Sequence, residues 1–444
     1  MKITFIFPCV GKRKGVRYPQ SWLMEPLAIA QLSALTPATW ERDFYDDRLE
    51  TIPRDLSPDL VAINVETYTA RRAYQIARRY RDKGVPVVMG GFHPTLAPDE
   101  AVQHADAIVV GEAEGVWQNL LADLAAGKLK QRYAGDRPAL GGLRPDRSIY
   151  AGKPYLELSL VETGRGCLFG CEFCSIAGFF HSSYSARPIE DVVEEVKTLR
   201  NKTVFFVDDN FCVDRDRTRR LLEALIPLRI RWMGQVSIRT AQDEDLLILM
   251  RKSGCAGVLI GFESLDPALL AAMRKTMNPD TEEECENAVK RFYKHGIGIY
   301  ATFVFGYDTD TKRSFQRTLD FAIRNRFFFT AFNHLVPFPG TPLYTRLKME
   351  RRLIDDPWWL SDSFRFGDLA FEPTQMSARE MARLCFEYRQ RFYCASSILR
   401  RAMNFHTNFR SAFMAGLYLS QNFAARNDVD NRQGLPLGIP GEDR

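Results

Sequence analysis

Cys167, Cys171 and Cys174 stand in the run Glu162-Thr-Gly-Arg-Gly-Cys167-Leu-Phe-Gly-Cys171-Glu-Phe-Cys174. Three thiols within eight residues, directly after an apolar β-rich run, point to metal or redox chemistry. A disulfide framework is excluded by the count: nine cysteines, an odd number, of which six are scattered. Gly164, Gly166 and Gly170 let the backbone turn tightly around a bulky ligand. Thiolates suit zinc or an iron–sulfur cluster. A structural zinc wants a fourth ligand, usually from a second CxxC or a histidine pair. The nearest candidate here, His181, stands alone. Three cysteines without a fourth fit a [4Fe–4S] cluster that keeps one iron open for a substrate or cofactor. Cys212, Cys255, Cys285, Cys385 and Cys394 show no ligand spacing, so no second cluster is expected.

The elements that must position these thiols read as two alternating series. In the first, strands over 2–8, 39–45, 60–65, 85–89 and 107–110 alternate with helices over 25–35, 70–83 and 115–126. This rhythm predicts a Rossmann-like, doubly wound parallel sheet. Its ligands sit beyond the carboxyl ends of the strands, where Cys9, Thr67, Gly90, Gly91, Gly111 and Glu112 fall. A Gly-, Pro- and Arg-rich break without period reads as a linker. The second series starts at Leu156 and gives six strands with five clear intervening helices, a partial α/β barrel with function at the strand C-termini. After 345 the strands stop, and 377–393 and 396–422 read as Arg-rich helices. The tail from Arg426 reads as polar and frayed. The expected domains are therefore 1–135, a linker over 136–153, a (β/α)6 barrel over 154–345 and a helical region over 346–444.

The CxxxCxxC pattern, with Phe173 before the last cysteine and its place after the first barrel strand, resembles the radical S-adenosylmethionine (SAM) superfamily over roughly 156–345. The resemblance implies that the open iron chelates SAM and that an electron from the cluster cleaves it to a 5′-deoxyadenosyl radical. The later strand ends fit: Asp208 and Asp209 after strand two, Ser237 and Arg239 after strand three, Gly261 and Glu263 at the end of strand four. Each is expected either to meet SAM or, for the aspartates, to cap a helix or turn. Lys275 reads as a surface lysine or as a reach into the barrel mouth. The Pro337–Pro342 run looks like the turn that closes such a barrel.

Gly90-Gly-Phe-His-Pro-Thr95 and Gly111-Glu-Ala-Glu-Gly115 are similar to the cobalamin-binding domain of B12-dependent radical SAM enzymes, over residues 1–125. Cobalamin is thereby implied as a third cofactor, lying between the domains and facing the cluster. The Asp-x-His-x-x-Gly motif that supplies an axial histidine is absent: that stretch reads Pro8-Cys-Val-Gly-Lys-Arg-Lys-Gly15. His93 caps a helix, binds corrin side chains or is exposed. Glu112 and Glu114 are solvated or accept from corrin amides, and Cys9 is a buried strand-end residue or a cofactor contact.

The resemblance implies C-methylation of an unactivated carbon, with the alternative of C–C coupling, cyclisation or rearrangement, with or without cobalamin, on a lipid or other apolar substrate. It also implies a reducing partner such as flavodoxin or ferredoxin. A net charge of +5 without a basic run interleaved with aromatics excludes nucleic acid as the expected partner. The N-terminal apolar run is too short for a signal peptide and no stretch reaches a membrane span, so a cytoplasmic protein is expected. Phe409, Phe413 and Leu417 make a helix face near Arg400, Arg401 and Arg410, which packs on the barrel or touches a membrane surface.

Overall fold

The computed structural model describes residues 1–442. Six parallel strands form the N-terminal sheet: β1 (Lys2–Phe7), β2 (Glu41–Asp46), β3 (Leu60–Asn64), β4 (Val87–Gly90), β5 (Ala107–Gly111) and β6 (Arg132–Gly135), in the order β2-β1-β3-β4-β5-β6. Parallel neighbours need crossovers, and helices such as Leu27–Leu35 and Ala70–Arg81 supply them on both faces. That is why β1 and β3 are apolar almost throughout, with Ile3, Phe5, Ile6, Leu60 and Val61 all buried. The order reverses between β1 and β3, which opens a crevice beyond the strand ends. β6 escapes the sequence reading because it has one buried side chain, Tyr133, as an edge strand allows.

The second sheet contains β7 (Ser159–Val161), then, beyond the small antiparallel pair β8 (Gly164–Gly166) and β9 (Tyr184–Ala186), the strands β10 (Thr203–Phe206), β11 (Arg231–Gln235), β12 (Cys255–Glu263), β13 (Gly298–Phe305) and β14 (Phe329–His334). All six are parallel and follow in sequence order, so the sheet curls into a (β/α)6 partial barrel with β7 and β14 as its free edges. Side chains alternate along the strands. Outward residues such as Val258, Ile299, Ala301 and Phe332 are sealed under helices. Inward ones stay accessible: Tyr300 is 37% exposed although Ile299 and Ala301 on either side are 0%. Cross-strand register sets Gln235, Leu259, Tyr300 and Phe329 in one row around this hollow lumen.

The helix Ala378–Phe392 lies along the free edge of β14. Arg389 Nε donates to the Phe332 carbonyl at 3.0 Å, and the Tyr393 hydroxyl takes up both backbone groups of Thr330. An edge that would otherwise pair with another chain is thus closed from within. The expected helix over 396–422 is instead two, Ala395–Ala402 and Ala412–Arg432. The tail is not frayed. Leu435 and Leu437 are 2% and 3% exposed, Gly11 forms a parallel bridge with Gly438, and Gln75 holds the backbone of Ile439. A polar composition hid two apolar anchors. Among the described residues no helix is long and apolar enough to cross a membrane.

Candidate active site between the sheet and the barrel

The cysteine loop is built from β7 outward. Thr163 follows the strand, and Asp208, after β10, accepts from both its backbone N–H (2.8 Å) and its hydroxyl (2.6 Å). Asp209 accepts from the Gly166 N–H at 2.8 Å. Burial outweighs these donors and pushes the two carboxyls up to about 7 and about 6. Both aspartates, expected either to meet SAM or to cap a helix or turn, hold the turn that leads to Cys167, and both oxygens of Asp208 are taken by Thr163. Gly166 has φ +84°, and a Cβ there would lie 2.1 Å from the Ser183 carbonyl, so only glycine lets β8 pass β9 before the first thiol.

Cys171 is buried, and Cys167 and Cys174 are partly so. Burial raises all three thiols, Cys171 to about 11, while backbone N–H groups of Ile176 and Ala177 at the start of helix Ser175–Phe180 favour the Cys174 thiolate. The three feel one another's charge, and each feels the ammonium of Lys275. Among the described residues no three His, Cys, Asp or Glu side chains converge on a point as a single ion requires. A cubane spreads its thiolates over separate corners, and three neighbouring cysteines with a cation above them fit it. Phe173 packs against the barrel core, and Glu172 is tied down by Arg346 at 2.7 Å.

Lys275, read as a surface lysine or a reach into the barrel mouth, takes the second course. Its Nζ lies 2.9 Å from Glu263 Oε1. Glu263 ends β12 at φ +59°, a costly conformation for a residue with a Cβ. A Cβ at Gly261 would lie 2.2 Å from Glu263 Oε1, so glycine there makes room for the pair. The loop carrying Lys275 is strapped over the strand ends by Arg239, which donates to the carbonyls of Thr276 and Met277, and by Asn278, which donates to those of Gly261 and Phe262. Arg239 therefore positions a loop instead of pointing at SAM, and Ser237 caps its own turn by accepting from the Arg239 N–H.

A cavity of about 260 Å³ opens between the carboxyl ends of the N-terminal strands and the cysteine loop. Asn64, Gly90, Gly91, Gly111, Glu112 and Glu114 line it from the sheet, and Glu162, Arg165, Phe179 and Phe180 from the barrel. Arg165, two residues before Cys167, donates to Glu112, Glu114, Glu162 and Gln31. Glycine backbone and apolar walls with a rim of carboxylates and an amide suit the flat ring and acetamide arms of a corrin. No histidine lines the cavity. His93 is 0% exposed and bonds Tyr74, Glu100 and Thr67 under Trp359. His93 and Thr67 thus form one sealed network behind the cavity instead of facing it. Cys9 is likewise buried away from it, against Asp47. A groove of about 910 Å³ between the linker and the opposite face of the barrel holds none of these residues.

A sheet of this order and a six-stranded partial barrel with a three-cysteine loop between them suit an enzyme that sets an iron–sulfur cluster beside a further cofactor. The Radical SAM superfamily model matches residues 161–322, and the B12 binding domain model matches residues 25–121. Bacteriochlorophyllide d C-12(1)-methyltransferase of Chlorobaculum tepidum is 34% identical over 390 residues, 85% of this chain and 84% of that one. Hopanoid C-2 methylase of Rhodopseudomonas palustris is 26% identical over 383 residues, 80% of this chain and 71% of that one. The solved structure of TsrM from Kitasatospora setae with cobalamin and a [4Fe–4S] cluster shares the fold with a TM-score of 0.68 at 17% identity, covering 97% of this chain and 99% of that one. The chain belongs to the family of radical SAM enzymes that carry a B12-binding domain. Its cofactors are a [4Fe–4S] cluster, SAM and cobalamin.

Proposed function

We propose that this enzyme transfers a methyl group to an unactivated carbon of a large, mainly apolar ring substrate, with a chlorin-type tetrapyrrole first among candidates. The observation that carries the reading is that one cavity wall serves both cofactors: Glu162 and Arg165 line the corrin cavity and lead directly into Cys167. A methyl donor and a radical source are then neighbours across the lumen mouth, as the reaction demands. When bound, the cluster supplies the electron that cleaves SAM, and cobalamin supplies the methyl group.

The chain's own residues prepare that geometry. Cys167, Cys171 and Cys174 hold the cluster, and Asp208 and Asp209 fix the loop that presents it. Lys275, whose charge reaches all three thiols, and its partner Glu263 would supply a cation and an anion for the amino-acid end of SAM. Gly90, Gly91 and Gly111 let a corrin approach the backbone, and Glu112 with Arg165 borders its edge. The hollow lumen row of Gln235, Leu259, Tyr300 and Phe329 receives the substrate. The 34% identity over most of its length to an enzyme named for bacteriochlorophyllide d supports the tetrapyrrole class.

An external one-electron reductant of the flavodoxin or ferredoxin kind must serve the cluster. Leu399, Met403, Phe405, Phe413, Leu417 and Phe423 are exposed beside Arg400 and Arg410, which supports a transient contact with an anionic membrane surface from the cytoplasmic side. The test is anaerobic turnover of a chlorin with methyl-deuterated SAM. The expected result is a product carrying the labelled methyl, absent with Cys171→Ala. Release of 5′-deoxyadenosine without any labelled product would defeat the methyl-transfer reading.

A further inference from the structure

Several buried arginines of this protein meet carboxylates. Arg165 meets three carboxylates, Arg72 meets Asp47, and Arg187 meets Glu195. Arg401 has no carboxylate, but the carbonyls of Phe327, Phe328 and Phe392 and the Asn422 side chain surround it. Arg389 differs. It is 6% exposed, and only its Nε is engaged, by the carbonyls of Phe332 (3.0 Å) and Cys385 (3.2 Å). Among the described residues its two terminal nitrogens meet no acceptor.

A second cation stands beside it. Arg432 ends the helix Ala412–Arg432, its Nε is sealed without a partner, and its other nitrogens donate to nothing. The two helices are pinned together there, because Gln390 donates to Asp430 at 2.8 Å. Among the described residues no carboxylate pairs with either arginine. The charges of both reach the lumen residue Tyr300, whose hydroxyl also has no partner. Tyr68 on the N-terminal domain also feels the charge of Arg389 and packs at a tilt on Phe366 (5.2 Å), which meets Trp22 edge-on (4.9 Å).

Two like charges held side by side without a carboxylate repel each other, and their open terminal nitrogens can be answered by an anion from outside. We infer that Arg389 and Arg432, with Tyr300 between them and the lumen, anchor a carboxylate of the substrate. Guanidinium groups suit this task because their paired N–H donors match a carboxylate's two oxygens. The anchor sits at the lumen's side opening, between β14 and the N-terminal domain. A ring held there by its acid arm presents its body to the space between cluster and corrin. This inference rests on the proposed ring substrate and adds to it a required acid group.

The experiment compares zinc protoporphyrin IX, which has two free carboxylates, with its dimethyl ester, titrated into the cofactor-loaded enzyme and followed by quenching of tryptophan emission. The free acid is expected to bind at least about tenfold more tightly, as one charge-assisted contact provides. Arg432→Gln, at the partly exposed helix end, removes most of that preference, and Arg432→Lys restores part of it. Arg389→Gln has the same effect where it folds. Equal affinity for acid and ester, or a preference that survives Arg432→Gln, overturns the inference. Methyl transfer is scored separately with labelled SAM: a methylated product with equal binding of acid and ester removes the anchor and leaves the function, and acid preference without methyl transfer does the reverse.

Discussion

Arg165 and Glu112 meet across the domain boundary at 2.8 Å, one from the turn before the first cluster cysteine and the other from the end of β5. Their side chains are only 9% and 7% exposed, and Glu114 and Glu162 crowd the same guanidinium. One cation against three carboxylates leaves the hub short of positive charge, and burial holds the Glu112 carboxyl above its usual range. Arg165 thus ties the cysteine loop to the edge of the corrin cavity, beside the Gln31–Glu162 and Phe92–Phe179 contacts.

Replacing that side chain should be severe. Arg165→Met leaves three neighbouring carboxylates without their partner, a loss of about 3–5 kcal/mol for a broken buried pair. Urea unfolding followed by tryptophan emission measures it, and cobalt content is expected to fall in parallel. A variant as stable and as rich in cobalt as the parent would contradict the role given to Arg165.

Gly166→Ala tests the turn. Its Cβ would have to displace the Ser183 carbonyl, and the residue would keep an unfavourable positive φ. The displacement falls next to Cys167. We expect loss of most of the bound iron after anaerobic reconstitution, with cobalamin binding largely kept. Full iron content would show that the loop tolerates a different path.

His334, the last residue of β14, gives a pH dependence. It is 9% exposed, neither ring nitrogen has a partner, and burial followed by the charge of Arg389 pushes its pKa down to about 3. The unfolded chain takes up a proton near pH 6.5 that the native state refuses, so stability falls as pH drops below about 6.5 and is unaffected above it. Between pH 7 and pH 5 the loss is about 2 kcal/mol. Denaturation midpoints of the parent and of His334→Phe should diverge over that interval. Parallel curves would mean that the imidazole is protonated, or answered, in the native state.

The cysteine loop and both sheets were legible because their signals are local: a thiol spacing, and apolar runs alternating with helical ones. The strands β8 and β9 were not, since Gly-Arg-Gly and Tyr-Ser-Ala carry no period. Roles of polar residues were less legible. Asp208 and Asp209 take the turn role that was one of their two readings, Arg239 donates to loop carbonyls, and His93 turns into a sealed network. Lys275 and Arg165 gain their meaning from partners up to 134 residues away in sequence, Glu112 and Gln31 among them. No spacing rule encodes such a pair. The tail misled for a compositional reason: Gly, Pro and charge surround Leu435 and Leu437, and two leucines make no pattern.

Those leucines define a further expectation. A chain ending at Gln433 loses two buried side chains worth about 1.5–3 kcal/mol each, together with the bridge from Gly438 to Gly11. Thermal unfolding should begin earlier, and amide exchange should rise first in the segment around Val10 and Gln75. Unchanged exchange there would show that the tail merely rests on the domain.

The same contact has a bearing on how the molecule comes into being. Gly11 emerges from the ribosome long before Gly438, with the entire barrel between them. The N-terminal unit is thus begun first and finished last, and it must wait, incompletely covered, while the rest of the chain condenses. Contacts so distant along the sequence slow folding.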